Sequence, residues 1–296
     1  MTLRPSLLVL ILLALAPVGF SSAQPEQPID PTALVRRAVQ HRLDAARTHR
    51  PLRYLLRKQD EQHDTTKDII ETPEGAVARL VALNGQPLSA QANQAELDRL
   101  NTLANHPEIQ QHRHQREQKD AERVDRLMRL LPDAFLYRFE AMADCAAGPC
   151  YHLSFSPNPH WDPPDLEASL MRGMAGEVWI DQAQERLTRL DAHFIKDVDF
   201  GWGIIGRLDK GGTIHLEQAE IGGNDWEATA MKLNMRGKAL MVKSLSVQIT
   251  QQASHFSLVP PGVDYRKAIQ LLENSGEPSA IPPELMPFGR EEFTNQ

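Results

Sequence analysis

Apolar residues recur along this chain at two periods, and the period changes where the structure is expected to change. Val35, Val39, Leu43 and Ala46 return every three or four residues, which places them on one face of a helix. Asp30-Pro31 starts that helix with a capping carboxylate and a proline in the first turn, and Pro51 ends it. Leu52 to Arg57, Lys67 to Glu71 and Ala76 to Leu83 read as three strands, closed by the turn signal Asn84-Gly85. Ser89 caps a second helix with Leu97, Leu100, Leu103 and Ala104 on its face, and Asn105-His106-Pro107 breaks it. A third helix runs to about Leu131. Its half from Gln110 to Asp120 is almost wholly polar, and Val124, Leu127, Met128 and Leu131 follow at core spacing. The polar half reads as a solvated helix, with a partner-binding surface as the alternative.

Period two returns after Pro132-Asp133, where the main sheet is expected to start. Phe135, Tyr137 and Phe139 alternate with polar residues, as do Tyr151, Leu153 and Phe155. A short helix is expected from Asp165 to Arg172. The stretch from Gly176 to Thr250 then reads as consecutive antiparallel strands: Gly176–Asp181, a long and bulged Glu185–Phe200, Thr213–Glu220, a strand marked by Thr229, Met231, Leu233 and Met235, and a last one marked by Leu245, Val247 and Ile249. Turns are expected at Gly222 to Asp225 and at Arg236-Gly237-Lys238. A short helix is expected at Tyr265–Glu273, and the Pro-rich, polar residues 276–296 form a tail that reads as disordered. The helices inside the strand series make one α+β domain over residues 24–275 the economical reading.

The first residues change the picture of where this domain works. Arg4 precedes an apolar run from Ser6 to Phe20, about 15 residues and short of the ~20 that span a bilayer. Ser21-Ser22-Ala23 supplies small residues for cleavage, so residues 1–23 read as a signal peptide cleaved after Ala23, with an uncleaved anchor as the rival. A periplasmic or secreted protein, not membrane-spanning once cleaved, follows. Losing Arg4 takes the formal charge from −7 to −8, which argues against a nucleic-acid partner. Cys145 and Cys150 are the two cysteines, and after a secretory signal they suggest a disulfide across a hairpin turn. A redox or metal site is the competing reading of their C-x4-C spacing.

Candidate chemistry is sparse. Gly201-Trp202-Gly203-Ile204-Ile205-Gly206 matches G-x-G-x-x-G, but a dinucleotide site needs a helix after it, and the pattern here leads into another strand. The glycines fit bends in a curved sheet better, and no cofactor is expected. The 11 histidines form neither H-E-x-x-H nor a paired zinc pattern, so no metal is expected. No G-x-S-x-G elbow occurs and no catalytic residue stands out, although a hydrolase with an unrecognised site remains an alternative. What the sequence offers is apolar surface. Trp179, Phe194, Phe200, Trp202, Trp226, Met231 and Met235 are candidate walls of an adaptable pocket, each of which also fits an ordinary core.

The order of these elements, with Gly176-Glu177-Val178-Trp179-Ile180-Asp181, Arg186-Leu187-Thr188-Arg189-Leu190, Lys210-Gly211-Gly212 and Trp226, resembles the LolA/LolB-like periplasmic lipoprotein-sorting and lipid-binding proteins over most of residues 30 to 250. The resemblance implies a strongly curved antiparallel sheet, an incomplete β-barrel with helices covering its concave face. It also implies a cavity for acyl chains or apolar peptide surface. The chain departs from that pattern in its length, its polar third helix, the Cys145/Cys150 hairpin and its tail, and no lid-locking arginine aligns. The expectation is a non-catalytic binding protein for an apolar ligand, lipid or lipoprotein acyl chain. An envelope protein-interaction or stress-sensing module is the alternative.

Overall fold

Asp30 opens the first helix as its spacing predicts: its side chain accepts from Ala33 N at 3.0 Å, and Pro31 stands in the first turn. The computed structural model describes residues 29–200, 206–223, 225–239 and 243–275. The expected signal 1–23, Trp202 and the tail 276–296 lie outside them. Helix α1 (Pro31–Arg47) is followed by strands β1 (Leu52–Gln59), β2 (Asp64–Ile70), β3 (Val77–Leu83) and β4 (Gln86–Pro87). Helices α2 (Ala90–Asn105) and α3 (Pro107–Ala134) come next, then β5 (Phe135–Cys145), β6 (Gly148–Pro157) and a 3-10 segment at Ala168–Gly173. Strands β7 (Met174–Asp181), β8 (Leu187–Phe194), β9 (Val198–Phe200), β10 (Gly206–Leu208), β11 (Thr213–Gly222), β12 (Asp225–Ala239) and β13 (Lys243–Leu258) precede α4 (Tyr265–Glu273).

The 13 strands form one antiparallel sheet in the order β4-β3-β2-β1-β13-β12-β11-β8-β7-β6-β5, with β10 paired to β12 and β9. Its two ends, β4 and β5, do not pair with each other, so the sheet is open. The class is the expected one: α+β, a large unclosed antiparallel sheet with four α-helices among the described residues. The Cys145–Cys150 disulfide is present across the β5–β6 hairpin, with Cα atoms 5.9 Å apart.

Helix α1 lays Leu34, Val35, Ala38, Val39 and Leu43 on one sheet face, against Phe135, Leu153, Phe155, Val178, Ile180 and Ala192. The C-terminal end of α3 adds Leu127, Met128, Leu130 and Leu131 to this core. A second core joins α2 and α4 to Ile70 and Val77. Strict alternation through the β1–β2 and β12–β13 ladders places Ile70 and Val77 on the face opposite Leu153. Helices α1 and α3 thus serve one face of the sheet, and α2 and α4 pack on the other at its β1–β3 end.

Four local expectations are corrected. Helix α3 continues through Pro132 to Ala134; the proline gives up its own N–H bond and crowds the carbonyl of Met128, and the helix ends two residues later. Val124, placed at core spacing, is 50% exposed, since it ends the exposed stretch of the helix that precedes the core contacts at Leu127 to Leu131. The long strand Glu185–Phe200 is two strands, interrupted where Ile195 N donates to the Gly173 carbonyl at 2.8 Å and the Asp197 carboxylate takes the Lys210 N–H and the Arg207 side chain. Arg236-Gly237-Lys238 is no turn but lies within β12, near its C-terminal end. A Cβ on Gly237 would sit 2.1 Å from the Arg207 carbonyl oxygen, so glycine there admits the close passage of β10.

Side chains shield one sheet edge. On the outer side of β3, Leu80 N donates to Glu96 Oε1 at 2.7 Å, and Arg99 Nη2 donates to the Ala78 carbonyl at 2.6 Å. Just before the strand, Ala76 N donates to Glu117 Oε2 at 3.1 Å. Helices α2 and α3 thereby satisfy backbone groups that an exposed edge would offer to another chain.

Candidate ligand-binding surface

Strands β11, β12 and β13 carry an apolar strip on the face served by α1 and α3. Leu233 stands between Ile214 and Ile249, and Met231 between Leu216 and Gln251, while Met235 faces Val247. Alternation on one side of these ladders keeps all of them on a single face, which continues across β1 to Leu56 and Tyr54. Leu216, Met231, Leu233, Val247 and Ile249 are half-buried, and none of them joins a buried cluster of the described residues. The polar partners on the other side of β12, Lys232, Asn234 and Arg236, are exposed.

Helix α3 runs over this face from one end of the sheet to the other. Its 28 residues extend about 42 Å at ~1.5 Å per residue. At the start, Gln110 is buried and donates to the Glu74 carbonyl at 2.9 Å. At the far end, Tyr137 Oη donates to the Leu131 carbonyl at 2.9 Å. Between these anchors every residue from 115 to 124 is exposed, and the segment is tied down through side-chain tips, Glu117 Oε2 accepting from Ala76 N at 3.1 Å and Arg123 pairing with Glu167. The helix therefore crosses as a strut, and the apolar strip below it is open. Burial, then the carboxylates of Glu71, Glu227 and Glu117, push the Tyr54 phenol well above its usual range.

The sequence-chosen residues fall in several places. Met231 and Met235 lie on the strip, Met235 at its margin against Phe194. Phe194 is core, 2% exposed among Val198, Leu208 and Met174. Trp179 lies on the opposite face, because its neighbours Val178 and Ile180 fill the core under α1. There it stacks on His152 with ring centroids 4.6 Å apart, and the Arg189 guanidinium sits 4.6 Å from its ring. Trp226 is half-buried near the end of α1 and donates from Nε1 to Gln184 Oε1 at 2.8 Å. The backbone of Phe200 pairs with Gly206, and Gly206–Leu208 is a strand rather than the helix a dinucleotide motif requires. Sequence reasoning passed over Leu216, Leu233, Val247 and Ile249 as pocket residues, although their alternation with polar residues was the available signal.

His49 at the rim couples stability to pH through two carboxylates. His49 Nε2 lies 2.6 Å from Glu71 Oε2, and its Nδ1 lies 3.5 Å from Glu227 Oε1. The hydrogen bond to Glu71 raises the His49 pKa above 6.5, and burial raises Glu227. A histidine raised in the folded state contributes stability that is fully present below its unfolded value and is lost as pH rises through the folded one. His49→Gln is expected to flatten the fall in thermal stability above about pH 6.5, measured as Tm against pH. An unchanged slope counts against the pair.

No group of three or more histidine, cysteine or acidic residues suited to a metal ion occurs among the described residues. No helix among them is long and apolar enough to cross a membrane. No family model matches the chain, and no curated protein matches it. Among solved structures it is similar to a LolA superfamily protein from Nitrosomonas europaea, at 10% identity over 78% of this chain and 94% of that one, with a TM-score of 0.27. It is similar to a DUF1329 family protein from Desulfovibrio piger at 11% identity, covering 82% and 100% of the two chains with a TM-score of 0.27. A putative outer membrane lipoprotein-sorting protein domain from Vibrio parahaemolyticus matches at 8% identity over 81% and 99%, with a TM-score of 0.26.

Proposed function

We propose that this protein is an exported, non-catalytic binding protein for an apolar ligand, a lipid or lipoprotein acyl chain held between the strip on β11–β13 and the strut α3. The observation that carries this reading is the row of half-buried apolar side chains that joins no buried cluster, together with a crossing helix whose residues 115–124 are all exposed. Each acyl methylene buried there contributes about 0.8 kcal/mol, so a chain of ordinary length needs no reaction to be retained. The two methionines suit ligands of variable shape.

The test is displacement of a fluorescent fatty acid from the full chain. Leu233→Glu places a charge in the middle of the strip without touching a buried cluster, and is expected to weaken binding at least tenfold while leaving Tm within a few degrees. Wild-type protein that fails to bind the probe, or a variant that binds it equally well, refutes the reading. A second reading uses the exposed middle of α3 as a docking face for an envelope protein. Substituting Arg116, Lys119 and Glu122, all exposed, then abolishes capture of that partner and spares fatty-acid binding.

A further inference from the structure

A recess of about 580 Å³ opens beside the C-terminal half of α1, walled by His41, Arg42, His49, Arg186, Trp226 and Glu227. Its charges do not balance by pairing. Asp44 holds Arg47 at 3.1 Å, Asp225 holds Arg50 at 2.6 Å, and Glu71 and Glu227 share His49. Two guanidiniums are left over. Arg42 makes no hydrogen bond or ion pair among the described residues, and Arg186 gives one N–H to the His41 carbonyl at 2.6 Å but has no carboxylate partner. They are close enough to repel: burial first, then the Arg42 charge, lowers the Arg186 pKa. His41 adds a third unmet group, a buried Nδ1 with no hydrogen-bond partner.

Two half-buried arginines that no carboxylate contacts directly, although Asp225 and Glu227 act on them across the recess, form with the unpartnered histidine nitrogen a donor set for a tetrahedral oxyanion. Guanidinium forks match phosphate oxygens in pairs, and a doubly charged phosphate relieves the repulsion between the two arginines. The Trp226 ring and the methyl groups of Ala45 and Ala46 give the same recess an apolar wall. We propose that this recess binds a phosphate group, either free or as the headgroup of a lipid, through Arg42 and Arg186.

Isothermal titration calorimetry of the full chain tests this with inorganic phosphate, oleoyl lysophosphatidic acid and monooleoylglycerol. Arg42→Gln removes a side chain that holds no other residue, so its Tm is expected to match wild type. The expected result is at least tenfold weaker binding of a phosphate-bearing probe by Arg42→Gln, with Arg186→Lys, which keeps the charge and loses the fork, lying between the two. Loss for both phosphate probes assigns the site to phosphate from either source, and loss for the lysolipid alone assigns it to a headgroup. If neither phosphate probe binds, or Arg42→Gln binds them as tightly as wild type, the proposal is overturned. The lysolipid arm rests on the apolar-ligand reading, whereas the inorganic-phosphate arm does not. Failure of monooleoylglycerol with phosphate binding still dependent on Arg42 removes the carrier reading alone.

Discussion

Replacing Leu153 by alanine is expected to lower the stability of the fold by about 2–5 kcal/mol, the range for emptying a well-packed leucine site. Leu153 is 0% exposed and stands on β6, facing α1 across the main core. Its cross-strand partners are Phe139 and Val178, both held by backbone ladders, so the space left by three lost carbons has little freedom to collapse. In a domain of this size the Tm falls by roughly 2–4 °C per kcal/mol, giving a drop of roughly 4–20 °C by calorimetry. A change under about 2 °C would mean that the helix layer does not press on the sheet at this point.

Glu96→Ala is expected to be the next most damaging change, at about 2 kcal/mol, and to act through polar groups. The Glu96 carboxylate is 8% exposed and accepts from Leu80 N at 2.7 Å as well as from two nitrogens of Arg99. Alanine leaves the Leu80 N–H without its acceptor on an edge strand and frees Arg99 from the bond that raises its pKa. The edge then becomes a template for another chain, so concentration-dependent association by light scattering should accompany the lower Tm. Glu96→Gln keeps an acceptor for Leu80 and is expected to lose less than half as much. Equal losses for the two variants would show that charge, not edge capping, is the contribution of this residue.

Much of the fold was legible because its signals are local. Asp30-Pro31 and Ser89 cap the helices they were expected to cap, and Asn84-Gly85 turns with both residues at positive φ. Tyr265–Glu273 has the predicted bounds, with the Asp264 side chain accepting from Lys267 N. Legibility ends where a residue answers to something distant. Nothing near Asp197 announces that Lys210 and Arg207 will claim its carboxylate and break a strand. Alternation told that Trp179 opposes Val178, but not which of the two faces α1 would cover. Gly237 reads as a turn residue until β10 is placed across it. The arginine pair is the extreme case, because an unpartnered cation becomes visible only when every neighbouring carboxylate has been assigned.

The place of β13 in the sheet sets how the chain must fold. β1 ends at Gln59, yet the strand that joins it to the rest of the sheet spans Lys243–Leu258 and pairs it with β12. The first meander and the main sheet thus remain separate until almost the whole described chain is available. Pairing at such sequence separation requires closing a very long loop before any contact rewards it, which slows folding. During that interval the open edges of β1 and β12 face solvent, and the strand that covers both of them is the last to be made.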